Sequence, residues 1–222
     1  MNIRTRPTRR LPFLAALAVA AVVALPSARP AALNAQARQA GQVPEDRWLK
    51  GLTAKHRQFF DSPADGGGIP LVHIMNYYDT YNRAYQVPDS DIDAVGTFYG
   101  AITFYGLNDA MWAKYRLGEF LKLNDATGKP ATANPWRAAP VILGMSLPQA
   151  SVESLQKRGT TFILCNNALT IFAGLLAKQR GLEANAVYAD MKANILPGVE
   201  LIPAMVVAIE QAHAAGLSYH RQ

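Results

Sequence analysis

The strongest constraint on this chain is an alternation, between Thr160 and Tyr219, of short β-branched or apolar runs with helix-patterned stretches of ten to fifteen residues. Thr160-Thr-Phe-Ile-Leu164 reads as a buried strand that delivers Cys165 into Asn166-Asn167 and an apolar helix over Ala168 to Gln179, closed by Gly181. A helix over Ala186 to Ile195 follows, then a strand over Val199 to Ile202, a helix over Pro203 to Ala215 ended by Gly216, and a short strand over Leu217 to Tyr219. Strands separated by helices of this length imply right-handed βαβ units and a mainly parallel sheet covered on both faces. No internal repeat is visible.

Upstream, Ile69 to Met75, opened by Gly66-Gly67-Gly68, suits a buried strand, with Asn76 capping a helix over about Tyr77 to Gln86 that Pro88 ends. That helix sets Tyr77, Tyr81 and Tyr85 one turn apart on one face, beside an i,i+4 pair of Asp79 and Arg83. A strand over Ala94 to Tyr99 leads to a helix over Gly100 to Tyr115, with Asn108 or Asp109 as an internal cap. Asn124 to Arg137, rich in Asn, Thr, Pro and Gly, reads as an ordered loop or cover, and a strand over Val141 to Met145 and a helix over Gln149 to Lys157 follow. Asp46 to Phe60 reads as a short helix within an N-terminal extension, residues 38–68, that feeds the α/β domain of residues 69–222.

The first ten residues hold four arginines and no acid, and Leu11 to Leu25 contains only apolar residues and one proline. A membrane-spanning helix needs about 20 apolar residues, so residues 1–37 are expected to be a signal peptide, cut after Ala35-Gln36-Ala37, with an uncleaved anchor as the alternative. The general and twin-arginine routes both fit Arg9-Arg10, and either places the protein in the periplasm or outside the cell, with no stable membrane span after cleavage. The leader also explains the basic pI of 9.5, because it carries five arginines and leaves seventeen basic against sixteen acidic residues. A near-neutral mature chain lacks the electrostatic footprint of a nucleic-acid binder.

Exported proteins usually pair their cysteines, and this one has only Cys165. Placed between a parallel strand and a helix, Cys165 stands on the rim where ligands collect in open sheets, and the first-turn amides from Asn166 onward favour a thiolate there. A free cysteine is also one of the most buried residue types, so a packing role stays open beside the reactive one. His56, His73, His213 and His220 lie in separate elements without metal-ligand spacing, His73 reads as a hydrogen-bonded core histidine of a strand, and no metal site is expected. Asp89, Asp91 and Asp93 mimic a calcium loop, but Ala94 and Gly100 stand where it needs glycine and glutamate, so a solvated turn is expected. Gly66-Gly67-Gly68 lacks the Gly-Lys-Ser/Thr of a phosphate cradle, no Gly-x-Ser-x-Gly occurs, and no cofactor is implied. The aromatic group from Tyr77 to Tyr115 reads as core, subunit interface or pocket wall.

Phe162-Ile-Leu-Cys165-Asn-Asn-Ala168, Asn194-Ile-Leu-Pro-Gly-Val-Glu-Leu-Ile-Pro203 and Ile209-Glu-Gln-Ala-His-Ala-Ala-Gly216-Leu-Ser-Tyr219 resemble the DsrE/DsrF-like proteins, most densely over Thr160 to His220 and more loosely back to Ile69. The resemblance implies a three-layer α/β sandwich with a five-stranded, mainly parallel sheet of flavodoxin-like winding, and homotrimers or hexamers. It also implies a cysteine that carries persulfide sulfur between a sulfane sulfur donor and an acceptor protein, which maps onto Cys165, with Asn166 and Asn167 as its substrate-binding neighbours. The alternative is a non-enzymatic small-molecule-binding or oligomeric assembly module in which Cys165 is structural. Family sulfur relays work in the cytoplasm, so an export signal is a departure from the pattern, and the extension and the Asn124 to Arg137 loop, which have no family counterpart, are candidates to cover the cysteine.

Overall fold

The computed structural model describes residues 46–138 and 140–222. The expected leader and the first part of the extension lie outside the described residues. A single helical turn, α1 (Arg47–Lys50), precedes β1 (His56–Asp61), which is followed by α2 (Ile69–Tyr85) and β2 (Ile92–Phe98). A 3-10 segment (Gly100–Gly106), α3 (Asp109–Lys114) and α4 (Leu117–Leu121) come next, and a small hairpin of β3 (Val141–Ile142) and β4 (Met145–Ser146). The chain continues through α5 (Val152–Lys157), β5 (Thr161–Cys165), α6 (Asn166–Arg180), α7 (Ala184–Ala193), β6 (Val199–Ile202), α8 (Met205–Ala214) and β7 (Ser218–Arg221).

Five strands form one sheet in the order β6-β5-β2-β1-β7, and every neighbouring pair is parallel. With helices packed on both faces, the architecture is the expected three-layer α/β sandwich with a five-stranded sheet. The chain steps from β1 through β2 and β5 to β6 and then returns to lay β7 against the free side of β1. The winding is thus double, as in flavodoxin-type sheets, with its reversal at the last strand.

Two expectations fail before β2, and beyond it the helix expected over Gly100 to Tyr115 is a 3-10 segment, an extended Leu107-Asn108 and then α3. Asp46 to Phe60 is not one helix, because α1 stops at Lys50 and His56–Asp61 enters the sheet as β1. Ile69 to Met75 is not a strand but the first two turns of α2, which runs on without a break through Asn76. Pro70 sits in the first turn of that helix, where its missing N–H costs nothing, and Gly68 precedes it at φ 86°. The α/β domain therefore begins inside the segment read as an extension.

Side chains alternate across the sheet as the two-residue strand period requires. Phe60, Ile92, Ala94, Phe98, Phe162 and Leu164 face a core built with α2 to α7 and the 3-10 segment, including Leu71, Tyr78, Phe104, Trp112 and Leu169. Phe59, Val95, Ile163, Cys165 and Ile202 face the other way, against Trp48 of α1 and Met205, Ala208 and Ala212 of α8. Gly96 is required on the crowded side, because a Cβ there would lie 2.3 Å from Phe162 Cε1, and its absence lets Phe162 stack on Phe98 at 5.3 Å.

Local signals hold where capping chemistry is explicit. Asn108 accepts from the Met111 amide at 3.2 Å and starts α3, and Gly181 ends α6 at φ 64°. The Asn124 to Arg137 loop is an ordered cover on the crowded face, where buried Asn134 donates to the Tyr105 and Leu107 carbonyls and Arg137 pairs with Asp109 and Glu153. Asp79 makes the expected pair with Arg83 at 2.9 Å. Arg158, just past α5, reaches Asp79 at 2.6 Å, Asp89 at 2.9 Å and Asn82 at 2.8 Å, and lies 4.7 Å from the Tyr78 ring centre. The aspartate run is thus a 3-10 turn partly held by this arginine, and Asp93 accepts the Ala54 amide at 2.7 Å.

Candidate functional site

Cys165 is the last residue of β5 and the N-cap of α6, with extended backbone at φ −75° and ψ 117°. Its Sγ accepts two main-chain N–H groups, from Ala168 in the first turn of α6 and from Met205 at the start of α8, each at 3.4 Å. Two helix N-termini therefore converge on one sulfur, a consequence of β5 and β6 lying side by side with Cys165 opposite Ile202. Both helices direct the positive ends of their dipoles toward it. The cysteine is free but buried, the residue being 5% exposed, in a cluster with Val95, Ile163, Ile202 and Met205.

The donors differ from the expected ones. An N-cap side chain reaches the second or third amide of its helix, so Ala168 rather than Asn166 serves the sulfur, and the Asn167 amide instead donates to the Pro203 carbonyl at 3.3 Å. The Asn166 side chain is engaged as well, accepting from the Tyr188 hydroxyl at 2.6 Å. Asn167 is exposed beside it. The Asn124 to Arg137 cover does not lie over the cysteine, since its buried Ala131 and Trp136 belong to the core of the opposite face. Trp48 and Leu52, from the segment read as an extension, do pack into the cluster that holds Cys165.

Sequence reasoning missed the residues beside it. Phe98 pairs with Leu164, so Tyr99 falls next to Cys165 at the same edge and packs against the same cluster. The Tyr99 hydroxyl donates to Asp61 at the end of β1, the Tyr219 hydroxyl donates to the other oxygen of the same carboxylate, and Arg221 lies 3.7 Å away. Burial and then the bond to Asp61 push the Tyr99 pKa up, and the bond to Asp61 and then burial do the same for Tyr219, so both remain donors. Asp61 itself is 1% exposed. The alternation of side chains in parallel register is the signal that predicts this row, but it operates only once the strand order is known.

Two further cavities open on the crowded side. One of about 670 Å³ lies beneath the cover loop between Asp65, Tyr105, Trp136 and Arg137. The other, about 650 Å³, is a groove between α2 and the β1–β7 edge of the sheet. Gln58 and Phe60 of β1 and His220 of β7 form its floor, and Tyr77, Tyr81 and Tyr85 rise from α2. His73, expected as a core histidine of a strand, sits instead on α2, with Nδ1 3.4 Å from Nε2 of His220, and His56 tilts against Tyr81 at a ring separation of 4.3 Å. Among the described residues no cluster of three or more His, Cys, Asp or Glu side chains could hold a metal ion, and no helix is long and apolar enough to cross a membrane.

No family model matches the chain, and no curated protein matches it. Among solved structures the chain is similar to the protein of unknown function MTH1491 from Methanobacterium thermoautotrophicum, at 15% identity and a TM-score of 0.40 over 76% of this chain and all of that one.

Proposed function

We propose that the protein is an exported sulfur carrier of the DsrE/DsrF type, in which Cys165 holds sulfane sulfur as a persulfide. The observation that carries the reading is the convergence of the Ala168 and Met205 amides on Sγ, because two N–H donors at two helix starts stabilise negative charge on sulfur without any cation. In the loading step the Cys165 thiolate attacks the outer sulfur of a donor persulfide. A new S–S bond forms, the donor S–S bond breaks, and its electron pair leaves with the donor thiolate. Attack by an acceptor thiolate on the outer sulfur reverses the change at Cys165 and completes the transfer with no net oxidation. The burial of Cys165, a residue only 5% exposed, favours a slender donor, a polysulfide tail or a persulfide tip on a partner protein.

Anaerobic treatment of the folded protein with polysulfide, followed by intact-mass measurement, tests this. Additions of about 32 Da that a thiol reductant removes and that Cys165→Ser abolishes are expected. Modification only after denaturation overturns the reading and leaves Cys165 as a structural helix cap.

Assembly of several copies is part of the same proposal. Ile171 and Leu175 on α6 and Val206 and Val207 on α8 expose apolar surface, which supports a trimer or hexamer. Sedimentation that gives one monomeric species at all concentrations rules the assembly out. Export is read from the leader, and N-terminal sequencing of protein recovered outside the cytoplasm is expected to begin at Arg38.

A further inference from the structure

We infer that the groove between α2 and the β1–β7 edge is a binding site for a small, uncharged, planar aromatic compound bearing a phenol-like hydroxyl, a site independent of Cys165. Three observations lead there. The groove's volume of about 650 Å³ is that of a small-molecule site, not of a macromolecular contact. Its walls are rings: Tyr77 and Tyr81 meet edge to face at 5.1 Å, Tyr81 and Tyr85 lie 5.6 Å apart, and the Phe60 ring packs against both Tyr77 and His220. A flat aromatic guest matches such walls by stacking and edge contacts.

The third observation selects the guest's polar group. No Asp, Glu, Lys or Arg lines the groove, so it supplies no fixed charge to an ionic ligand. What it does supply is the imidazole pair of His73 and His220, with facing nitrogens 3.4 Å apart. Burial first, and the neighbouring His73 second, hold His220 below the usual imidazole range and so favour its neutral form. When two neutral imidazoles share a proton along one N···N contact, their two outer nitrogens are left as one donor and one acceptor, whichever ring gives the shared proton. Here the outer atoms are His73 Nε2 and His220 Nδ1, and among the described residues neither has a protein partner. A hydroxyl both donates and accepts, so it satisfies either tautomer. A carboxylate only accepts and an ammonium only donates, so at the outer nitrogen it reaches each fits one tautomer alone.

Fluorescence titration of the full chain with 2-naphthol, 2-methoxynaphthalene and 2-naphthoate tests the assignment. Saturable 2-naphthol binding with a Kd of about 10–100 µM is expected for a guest of this size. The methoxy analogue, which cannot donate, is expected to bind about tenfold more weakly, and the anion no better than the analogue. Tyr85→Ala, at a residue 67% exposed and so without consequence for folding, weakens 2-naphthol about fivefold. His220→Phe keeps the ring wall and erases the preference for hydroxyl over methoxy. Absence of saturable binding, equal affinity for the hydroxyl and methoxy compounds, tighter binding of the anion, or indifference to both substitutions each overturns the inference. Because none of these readings involves Cys165, failure of the sulfur-carrier reading leaves them unchanged.

Discussion

The two faces of the sheet are built differently. On one, six helices and a 3-10 segment press Phe98, Phe104, Trp112 and Phe162 into an aromatic core, and yet this crowded face stops short of β7 and leaves the histidine groove open. On the other, α1 and α8 are the helices among the described residues that cover the strands, and yet this lean face buries Cys165 to 5% exposure. The amount of packing on a face therefore says little about where the molecule is accessible. Accessibility follows from which strand a helix fails to reach.

The contrast can be attacked first through the core. Phe162→Ala on the crowded face is expected to lower unfolding stability by about 3–5 kcal/mol in urea denaturation, whereas Ile163→Val, its chain neighbour on the lean face, costs only about 1 kcal/mol. Equal losses would show that the lean face is packed as demandingly as the other.

Arg158 ties α5 to α2 and to the turn before β2 along the crowded side, so Arg158→Ala is expected to cost about 2 kcal/mol, with Arg158→Lys recovering little because a lysine cannot reproduce the planar fork. Burial works against ionisation of Asp89, but its bonds to Arg158 and Asn82 outweigh burial and its pKa is lowered. A carboxylate with a lowered folded pKa contributes stability above its unfolded value and loses it as pH falls through the folded one. Stability is therefore expected to drop as the pH falls below about 4, with a shallower acid limb in Arg158→Ala.

A smaller effect separates the two faces at the cysteine. Cys165→Ala removes the acceptor from one buried and one part-buried amide and is expected to cost about 1–2 kcal/mol, while Cys165→Ser, an effective N-cap, costs less than about 1 kcal/mol. A reversed order would mean that sulfur packing, not amide capping, fixes this position.

The smallest effect belongs to the groove. His220, held below the usual imidazole range, takes up its proton later in the native state than in the unfolded chain. Stability should fall slightly as pH drops below about 6.5 and level off once the native His220 is protonated. A proton NMR titration is expected to place His220 lower than in the His73→Phe variant, where the neighbouring imidazole is gone.

The sequence was readable where elements are buried on both sides and punctuated by glycine. From Thr160 onward each strand and helix lies within a few residues of its expected position, because the apolar Phe162-Ile-Leu-Cys165 and the short Val199–Ile202, set between Pro197-Gly198 and Pro203, stand between clear helix periods. Ile69 to Met75 misled because a seven-residue apolar run fits a strand and a buried helix equally well, and Pro70 after three glycines was the clue to the helix. β1 was hidden for a more instructive reason. His56 and Gln58 line the open groove instead of a core, so the strand carries polar residues that mask its period. The groove escaped notice for the same cause, since no spacing along the chain reveals that His56, His73 and His220 share one cavity. At Cys165, the strand-to-helix position was legible in Leu164-Cys165-Asn166, whereas the second amide, from Met205, depended on the β5–β6 pairing.

β1 is held between partners of very different chain distance, since His56 pairs with Ile92 while Gln58 pairs with Ser218. Closing the longer loop costs about 1.3 kcal/mol more chain entropy than closing the shorter one, and it must be met by a strand of only four residues. β7 is therefore expected to dock late in folding and to detach early under stress, carrying His220 with it. The same short edge that leaves the groove uncovered thus makes its floor the part of the sheet most easily released, so a bound guest acts as a clasp on the last strand.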